Sequence, residues 1–340
     1  MAQDKAPLGR GLDVGTANLV GAEFDAEGNI KLTPVRNAFI DIPEDQFTRK
    51  MLEQQRIPFV KRGRSLYVVG DDAFALANVF NREMRRPMQR GMIKPSDADA
   101  MPMEVELVKL VLGEPREKGE TCYFSVPADP IDSEMNILYH RNVFSGLLEK
   151  LGYTPHALNE GHAVIFSELG DDEFTGIGMS FGGGMVNVCV AYRSVPVLSF
   201  ATSRGGDWID MEAAKVMGVG SSARMTAVKE GGINISDPKS PEQEAISIYA
   251  RHLIHYSLSK IIDKFQSVTE IPKFPGGVKI AISGGTTLVG GFQEIFGIEF
   301  DKLASQFPIE ITDIKMAAEP LNSTAKGCLL AALAEGGGNS

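Results

Sequence analysis

Two glycine-rich turns, each set between short apolar runs, carry the residues of this chain best suited to chemistry. The first lies in Gly11-Leu12-Asp13-Val14-Gly15-Thr16-Ala17-Asn18 and the second in Met179-Ser180-Phe181-Gly182-Gly183-Gly184. Lacking a Cβ, glycine lets backbone N–H groups close around an anion such as a phosphate. Asp13 stands just before the first turn, where a carboxylate suits the water shell of Mg2+, an ion that takes few protein ligands and several waters. Thr16 and Asn18 add a hydroxyl and an amide to the same loop. A third cluster, Ser283-Gly284-Gly285-Thr286, follows another apolar run, and Arg204-Gly205-Gly206-Asp207 precedes a helical pattern. Taken singly, a glycine turn between strands reads as an ordinary hairpin. Other nucleotide signatures are absent: the chain has neither a GxxxxGK(S/T) phosphate loop nor a strand–GxGxxG–helix fingerprint.

The elements that must position these turns occur twice. Residues 9–24 read as strand, tight turn and strand, and 30–35 resume an extended pattern after the Glu27-Gly28-Asn29 turn. Residues 41–66 are mixed in polarity, with a short helix near 45–55. A strand at 67–69 then leads into a helix from Asp71 to about Phe80, and 104–112 form another helix. A buried strand at 121–126 stops at Pro127. A long helix is expected over 132–151, with Asp132 and Ser133 as caps and Gly152 after its end. A short extended piece at 156–158 precedes the Asn159-Glu160 turn. At Gly176 the opening pattern restarts: strand 177–180, glycine turn, strand 186–192, and a further strand at 195–200. Helices follow at 208–217 and 242–267, then a strand at 278–282 and a last helix at 323–334. Two related α/β domains, each opening with a hairpin aimed at a common cleft, account for this order.

Bulk composition is consistent with that reading. A chain of 340 residues suits two domains, and 43% hydrophobic with 23% charged residues suits a folded core. The net charge of -10 argues against a dedicated nucleic-acid binder. Arg85, Arg86 and Arg90 form a local basic patch, read as solvated. Cys122, Cys189 and Cys328 lie far apart and read as core thiols of a reducing compartment. Residues 1–10 lack the apolar stretch of a signal peptide, no run is long enough to span a bilayer, and the tail Gly336-Gly337-Gly338-Asn339-Ser340 is no amphipathic anchor. A cytoplasmic protein without a transmembrane segment is expected.

In order along the chain, the segments resemble the actin and heat-shock-chaperone ATPase superfamily, and within it the bacterial actin MreB family most closely. The residues 11–18 are similar to that family's first phosphate loop, and Gly182-Gly183-Gly184 to its second. The run 86–93 resembles the segment ahead of the first connecting helix, and Ser125-Val126-Pro127 the strand end before the long helix. Leu158-Asn159-Glu160 is similar to the site of the hydrolysis-linked acid. Arg204-Gly205-Gly206-Asp207 with Asp210 resembles the GGD segment, and Ser283-Gly284-Gly285-Thr286 the adenosine motif. Glu319-Pro320 and Ala325-Lys326-Gly327 resemble the closing stretch.

The resemblance implies an actin-like (ribonuclease-H-like) duplicated α/β fold with ATP and Mg2+ in the interdomain cleft. It implies a first domain of residues 1–157 plus the helix 318–335, with an outer subdomain at about 37–70. The second domain spans 158–317, with a shortened outer subdomain at about 211–274. Asp13 would serve the metal. The nucleotide would contact Gly15, Thr16, Ala17, Asn18, Gly182, Gly183, Gly184, Gly205, Gly206, Asp207, Gly284, Gly285 and Thr286, with Lys229 and Glu230 at the adenosine. Glu160 would orient the lytic water; on the residues alone it is an acid favoured at a helix N-terminus. Asp207 likewise suits a helix cap, Trp208 suits core or hinge packing, and His156 and His162 read as loop and helix-surface residues rather than metal ligands.

Two departures bear on activity. Ser180 stands where the family's second phosphate loop opens with aspartate, and Met185 where a threonine usually follows the glycines. A serine cannot supply the negative charge that holds a hydrated divalent cation. The implied function is a filament-forming, ATP-binding cytoskeletal protein with slow ATPase activity, assembling with itself and with cytoskeletal or membrane-associated adaptors. The alternative is a non-polymerising or weakly hydrolysing adaptor that recruits partners with the same clamp. A sugar or acetate kinase on this fold would need substrate-binding insertions for which the chain has no spare segment.

Overall fold

Alternating apolar residues fold the first part of the chain into strands around the Asp13 turn. In the computed structural model, which describes residues 7–268 and 274–336, β1 (Arg10–Val14), β2 (Asn18–Phe24) and β3 (Ile30–Arg36) form an antiparallel meander. The expectations for residues 1–6, 269–273 and 337–340 lie outside the described residues. After the meander come β4 (Phe39–Pro43), α1 (Gln46–Gln54), β5 (Val60–Arg62), β6 (Ser65–Val69) and α2 (Gly70–Val79). Strands β4, β6 and β5 make a small outer sheet over their own apolar cluster of Ile40, Ile42, Leu52, Leu66 and Val68. Its two flanking strands were concealed by the mixed polarity of 41–66. The short helix was legible there, because Asp45 caps it by accepting from the Thr48 N–H at 2.7 Å.

The chain then forms the short pair β7 (Met88–Gln89) and β8 (Met92–Ile93), α3 (Ala100–Leu112), β9 (Thr121–Val126), α4 (Ile137–Lys150) and β10 (Thr154–Asn159). Strands β9 and β10 run parallel to β1, giving the sheet order β10-β9-β1-β2-β3. Helix α4 corrects the expectation for 132–151. It begins at Ile137 with Asn136 as its cap, and Asp132 lies outside it. The stretch 127–136 is held extended because Pro127 and Pro130 disfavour helix and its backbone pairs elsewhere: Ile131 N–H donates to Ala201 O, and Ala201 N–H to Asp129 O, both at 3.0 Å. Asp132 instead accepts from Ser203 N–H at 2.7 Å and Tyr256 Oη at 3.1 Å.

After α5 (Glu160–Glu168) the first topology recurs. β11 (Gly176–Phe181), β12 (Val186–Tyr192) and β13 (Val195–Thr202) form a second meander. Helices α6 (Gly206–Val216), α7 (Ala223–Glu230) and α8 (Pro241–Ser267) follow, then β14 (Val278–Ser283), α9 (Phe292–Asp301), β15 (Ile311–Met316) and α10 (Ser323–Gly336). Strands β14 and β15 are parallel to β11, so the order β13-β12-β11-β14-β15 matches that of the first sheet. The core of this half gathers Phe181, Phe292 and Phe296 with the apolar face of α8.

The helices that leave each sheet pack on the other half. α5, which follows β10, lies on β11 and β12, whereas α10, which follows β15, lies on β1 and β9. The two helices cross face to face, and glycines permit every layer of this stack. A Cβ on Gly11 of β1 would overlap the backbone of Ala325 and Leu329, and one on Gly327 of α10 would overlap the Ala163 carbonyl of α5. One on Gly161 of α5 would strike the Val188–Cys189 backbone, and one on Gly178 of β11 would overlap the Gly161 carbonyl. All three cysteines are buried and free. Among the described residues no helix is long and apolar enough to cross a membrane.

We therefore expect Gly327→Ala to lower unfolding free energy by about 1–3 kcal/mol, because the crossing helices must separate. Gly146→Ala on α4, where the added methyl meets open space, should stabilise by about 0.5–1 kcal/mol through helix propensity alone. Urea denaturation of both variants checks the contrast.

Candidate functional site

The two glycine turns come together at the ends of β1 and β11, on either side of the α5–α10 crossing. A Cβ on Gly183 would stand 3.6 Å from the Ala17 methyl, and one on Gly184 would stand 2.6 Å from Gly91 N and 2.7 Å from Thr16 Oγ1. Between the turns lies a partly open space of about 60 Å3. Its walls include Asp13, Gly15, Thr16, Ala17 and Asn18 on one side and Gly182, Gly183 and Gly184 on the other; Glu160, Ser180, Gly284 and Gly285 complete it.

Each turn is held largely by its carbonyls, and of the second turn's amides only Gly182 N–H is paired, to Met185 O at 2.9 Å. In the first, Asn37 Nδ2 donates to Gly15 O and Asn37 N–H to Ala17 O, both at 2.9 Å. In the second, Gly206 N–H and Thr286 Oγ1 donate to Gly182 O at 3.0 and 2.9 Å, and Asp207 N–H to Gly183 O at 2.8 Å. The backbone N–H groups of Gly15, Thr16, Ala17, Gly183 and Gly184 have no acceptor among the described residues. Unpaired amides on facing turns make a concavity that favours an anion.

Two carboxylates border the space. Asp13 accepts from Ser125 Oγ at 2.8 Å, and Ser125 Oγ in turn accepts from Val14 N–H at 2.8 Å. Glu160 opens α5, whose cap Asn159 accepts from His162 N–H, and it accepts from Ser180 Oγ at 3.1 Å. Asn187, paired with Ser180 in the β11–β12 register, is fully buried, its Oδ1 accepts from Ala128 N–H at 2.8 Å, and its Nδ2 has no acceptor among the described residues. Burial raises both carboxyls above the usual range, and the charge of Asp13 raises Glu160 further. Ser125 opposes the shift at Asp13, and Ser180 opposes it at Glu160. This pair is short of positive charge, and a hydrated divalent cation beside Asp13 would relieve it. Ser180 is here a neutral donor to Glu160, where an aspartate would be a third acceptor.

Several expected contacts lie behind or beside the space rather than facing it. Gly205, Gly206 and Thr286 buttress the second turn. Asp207 is the second residue of α6 and makes no cap hydrogen bond, the cap position being Gly205. It pairs instead with Arg86 at 3.2 Å. Lys229 Nζ makes a buried ion pair with Asp210 at 2.6 Å, and Glu230 reaches Arg36 at 3.7 Å. The Arg86–Asp207 and Arg36–Glu230 pairs join the two halves at the edge of the cleft. The basic patch is thereby corrected, since only Arg90 is exposed. Arg85 bridges Asp41, Asp97 and Asp99 at 3.1–3.2 Å, partners supplied by distant segments. His162 is likewise buried rather than on a surface, with Nε2–H donating to Ser194 O at 2.8 Å.

Sequence reasoning missed Asn37, Asn187, Gly91 and the role of Ser125. Their only sequence signal is nearness to strand ends, because their partners are 22 to 112 residues away or set by strand register. A wider concavity of about 730 Å3, lined by Arg204, Trp208, Arg251, Tyr256 and Lys302, lies on α6, α8 and α9. It has no facing turns. In the nucleotide-free protein, Asp13→Asn should lower the titration midpoint of Glu160 by removing the neighbouring negative charge, an outcome readable from the side-chain carboxyl 13C shift.

Comparison with known proteins places this geometry. The double-helical filament of MamK is similar with a TM-score of 0.68 at 18% identity, covering 96% of this chain and 98% of that one. MreB5 of Spiroplasma citri bound to AMPPNP gives 0.65 at 15%, covering 97% and 98%. The ethanolamine utilization protein EutJ from Carboxydothermus hydrogenoformans gives 0.52 at 17%, covering 97% and 91%. No curated protein sequence matches. At these identities the likeness establishes the fold, which is actin-like. The Volactin family model matches residues 8–332, nearly the whole described chain, and the protein belongs to the Volactin family.

Proposed function

We propose that this protein binds Mg-ATP between its two facing glycine turns and assembles into filaments in a nucleotide-dependent way. The observation that carries the reading is the set of five unpaired backbone amides on Gly15, Thr16, Ala17, Gly183 and Gly184, gathered around the Asp13 and Glu160 carboxylates. Phosphates suit such amides, and a bound Mg2+ would supply the positive charge that Asp13 and Glu160 lack. MamK forms a double-helical filament, and MreB5 binds AMPPNP and ADP; we extend both properties to this chain.

In this reading Asp13 holds the water shell of the metal while Ser125 fixes its orientation. The amides of both turns bind the phosphates, with Gly205, Gly206, Asp207 and Thr286 supporting the second turn and Asn18 flanking the first. Gly284, Gly285, Lys229 and Glu230 serve the adenosine end, which Glu230 reaches when it leaves Arg36. Glu160, held by Ser180, accepts a hydrogen bond from the attacking water and supports slow hydrolysis. The two domains, 1–157 with 318–335 and 158–317, hinge about the α5–α10 crossing. Their closure on nucleotide selects the subunit shape that polymerises in the cytoplasm.

The Ser180–Glu160 hydrogen bond favours a second reading, an adaptor that uses the same clamp without useful turnover. Negative-stain microscopy with and without Mg-ATP, beside a phosphate-release assay, separates the two. Filaments dependent on Mg-ATP support the first, and a protein that stays monomeric at high concentration with Mg-ATP overturns it. Phosphate release that Glu160→Ala abolishes overturns the second.

Asp13→Ala should weaken Mg-ATP binding about tenfold or more, equivalent to about 1.4 kcal/mol, by calorimetric titration. Arg86→Ala should speed nucleotide association in stopped-flow fluorescence, because it removes one of the ion pairs closing the cleft. Raising salt should have the same effect on the parent protein.

A further inference from the structure

We infer that Glu104 and Asn37 form a buried positioning pair behind the first glycine turn, in which the Glu104 carboxyl O–H donates to Asn37 Oδ1 and so fixes the amide that holds Gly15. Asn37 lies between β3 and β4 and is fully buried. Its side-chain Nδ2 and backbone N–H hold the carbonyls of Gly15 and Ala17. In a trans peptide the C=O and the following N–H point in opposite directions. Anchoring Gly15 O to Asn37 therefore turns the Thr16 N–H away from Asn37, and anchoring Ala17 O does the same for Asn18. Asn37 thus sets how the first turn presents its amides.

That anchor needs its own support. Asn37 Oδ1 is buried without a donor, and both Glu104 oxygens are buried without any partner. Glu104 sits in α3, fully enclosed, with the Asn37 side chain beside it. α3 packs on β2, β3 and β6, and the charged groups of these elements are engaged elsewhere. Arg36 pairs with Asp71 and Glu230, Lys31 with Glu23, Glu106 with Lys109, and Tyr67 Oη bonds Asp99. An ionised Glu104 would be a buried charge with no counter-ion and no hydrogen bond among the described residues. A neutral carboxyl answers both vacancies with one hydrogen bond. Burial pushes Glu104 up to about 8 from 4.5.

The sign of the pH effect follows. A carboxyl whose folded value lies above its unfolded one contributes stability at low pH that is lost as pH rises from about 4.5 to about 8. Once ionised, Glu104 attracts the Asn37 amide N–H, the interaction by which Asn37 opposes the rise, and so favours the flipped amide, which would aim Oδ1 at Gly15 O and break the anchor.

The effect on affinity rests on the Mg-ATP reading above; the effect on stability does not. The test compares the parent with Glu104→Gln, whose amide donates to Asn37 Oδ1 at every pH, and with Glu104→Leu, which has no donor. Thermal melts of the nucleotide-free proteins and Mg-ATP titrations run between about pH 6 and about pH 9. Asp13 and Glu160 titrate in all three proteins, so the difference between parent and Glu104→Gln isolates Glu104. We expect the parent to lose Tm more steeply than Glu104→Gln as pH rises, and to lose about threefold or more in Mg-ATP affinity that Glu104→Gln retains. Glu104→Leu should bind weakly at every pH. Superimposable pH profiles for parent and Glu104→Gln, or parent-like Mg-ATP affinity in a folded Glu104→Leu, overturn the pair. A parent that binds no Mg-ATP at any pH sinks the nucleotide reading, and the melt difference still decides the protonation of Glu104.

Discussion

Four backbone-to-backbone contacts, each made possible by a glycine, hold the two sheets at one distance. Gly11 seats α10 on β1, Gly327 seats α10 on α5, and Gly161 and Gly178 seat α5 on β11. The order β1–α10–α5–β11 spans the molecule, and neither helix belongs wholly to the sheet it leaves. Because α5 and α10 exchange sides, the halves cannot separate without pulling a helix off a sheet. Away from this axis the halves are joined at the rim by side-chain ion pairs rather than by packed backbone.

Close packing of this kind has an electrostatic consequence. It carries the first residue of α5, Glu160, to the side of Asp13, and burial raises both carboxyls. The protein manages the excess of negative charge with neutral donors: Ser125 at Asp13 and Ser180 at Glu160. Ser180 looks like a loss when compared with an aspartate at its position. In place, it is a hydrogen-bond donor to a carboxylate already crowded by another. The serine that stands where the family has an aspartate is therefore a donor to the buried Glu160.

At the rim the logic reverses, and pairs of opposite charge join the halves. Arg86–Asp207 and Arg36–Glu230 are partly exposed, so each is worth little alone and both are sensitive to salt. Such contacts suit a closure that must be reversible. They accompany a space of only about 60 Å3 between the turns.

Much of this was written locally. The Asp13 turn, the 182–184 turn and the strands flanking them follow from apolar alternation interrupted by glycine, and their recurrence half a chain apart made the duplicated α/β fold readable. Glu160 was only a helix-start acid on its own residues, and the resemblance to the bacterial actins alone put it beside the turns. What tertiary structure alone decided are relations between distant segments. The Arg85 and Arg86 charges found carboxylates at 41, 97, 99 and 207, so a basic patch became bridges. Asp132 lost its cap role because the backbone of 129–131 pairs with β13, starting α4 later. Asn37 and Glu104 have no local pattern at all: their meaning appears only when α3 lies across β3 and leaves two buried groups facing each other. Short-range periodicity encodes strands, helices and turns, whereas a partner across the fold is chosen by burial, which no window of sequence contains.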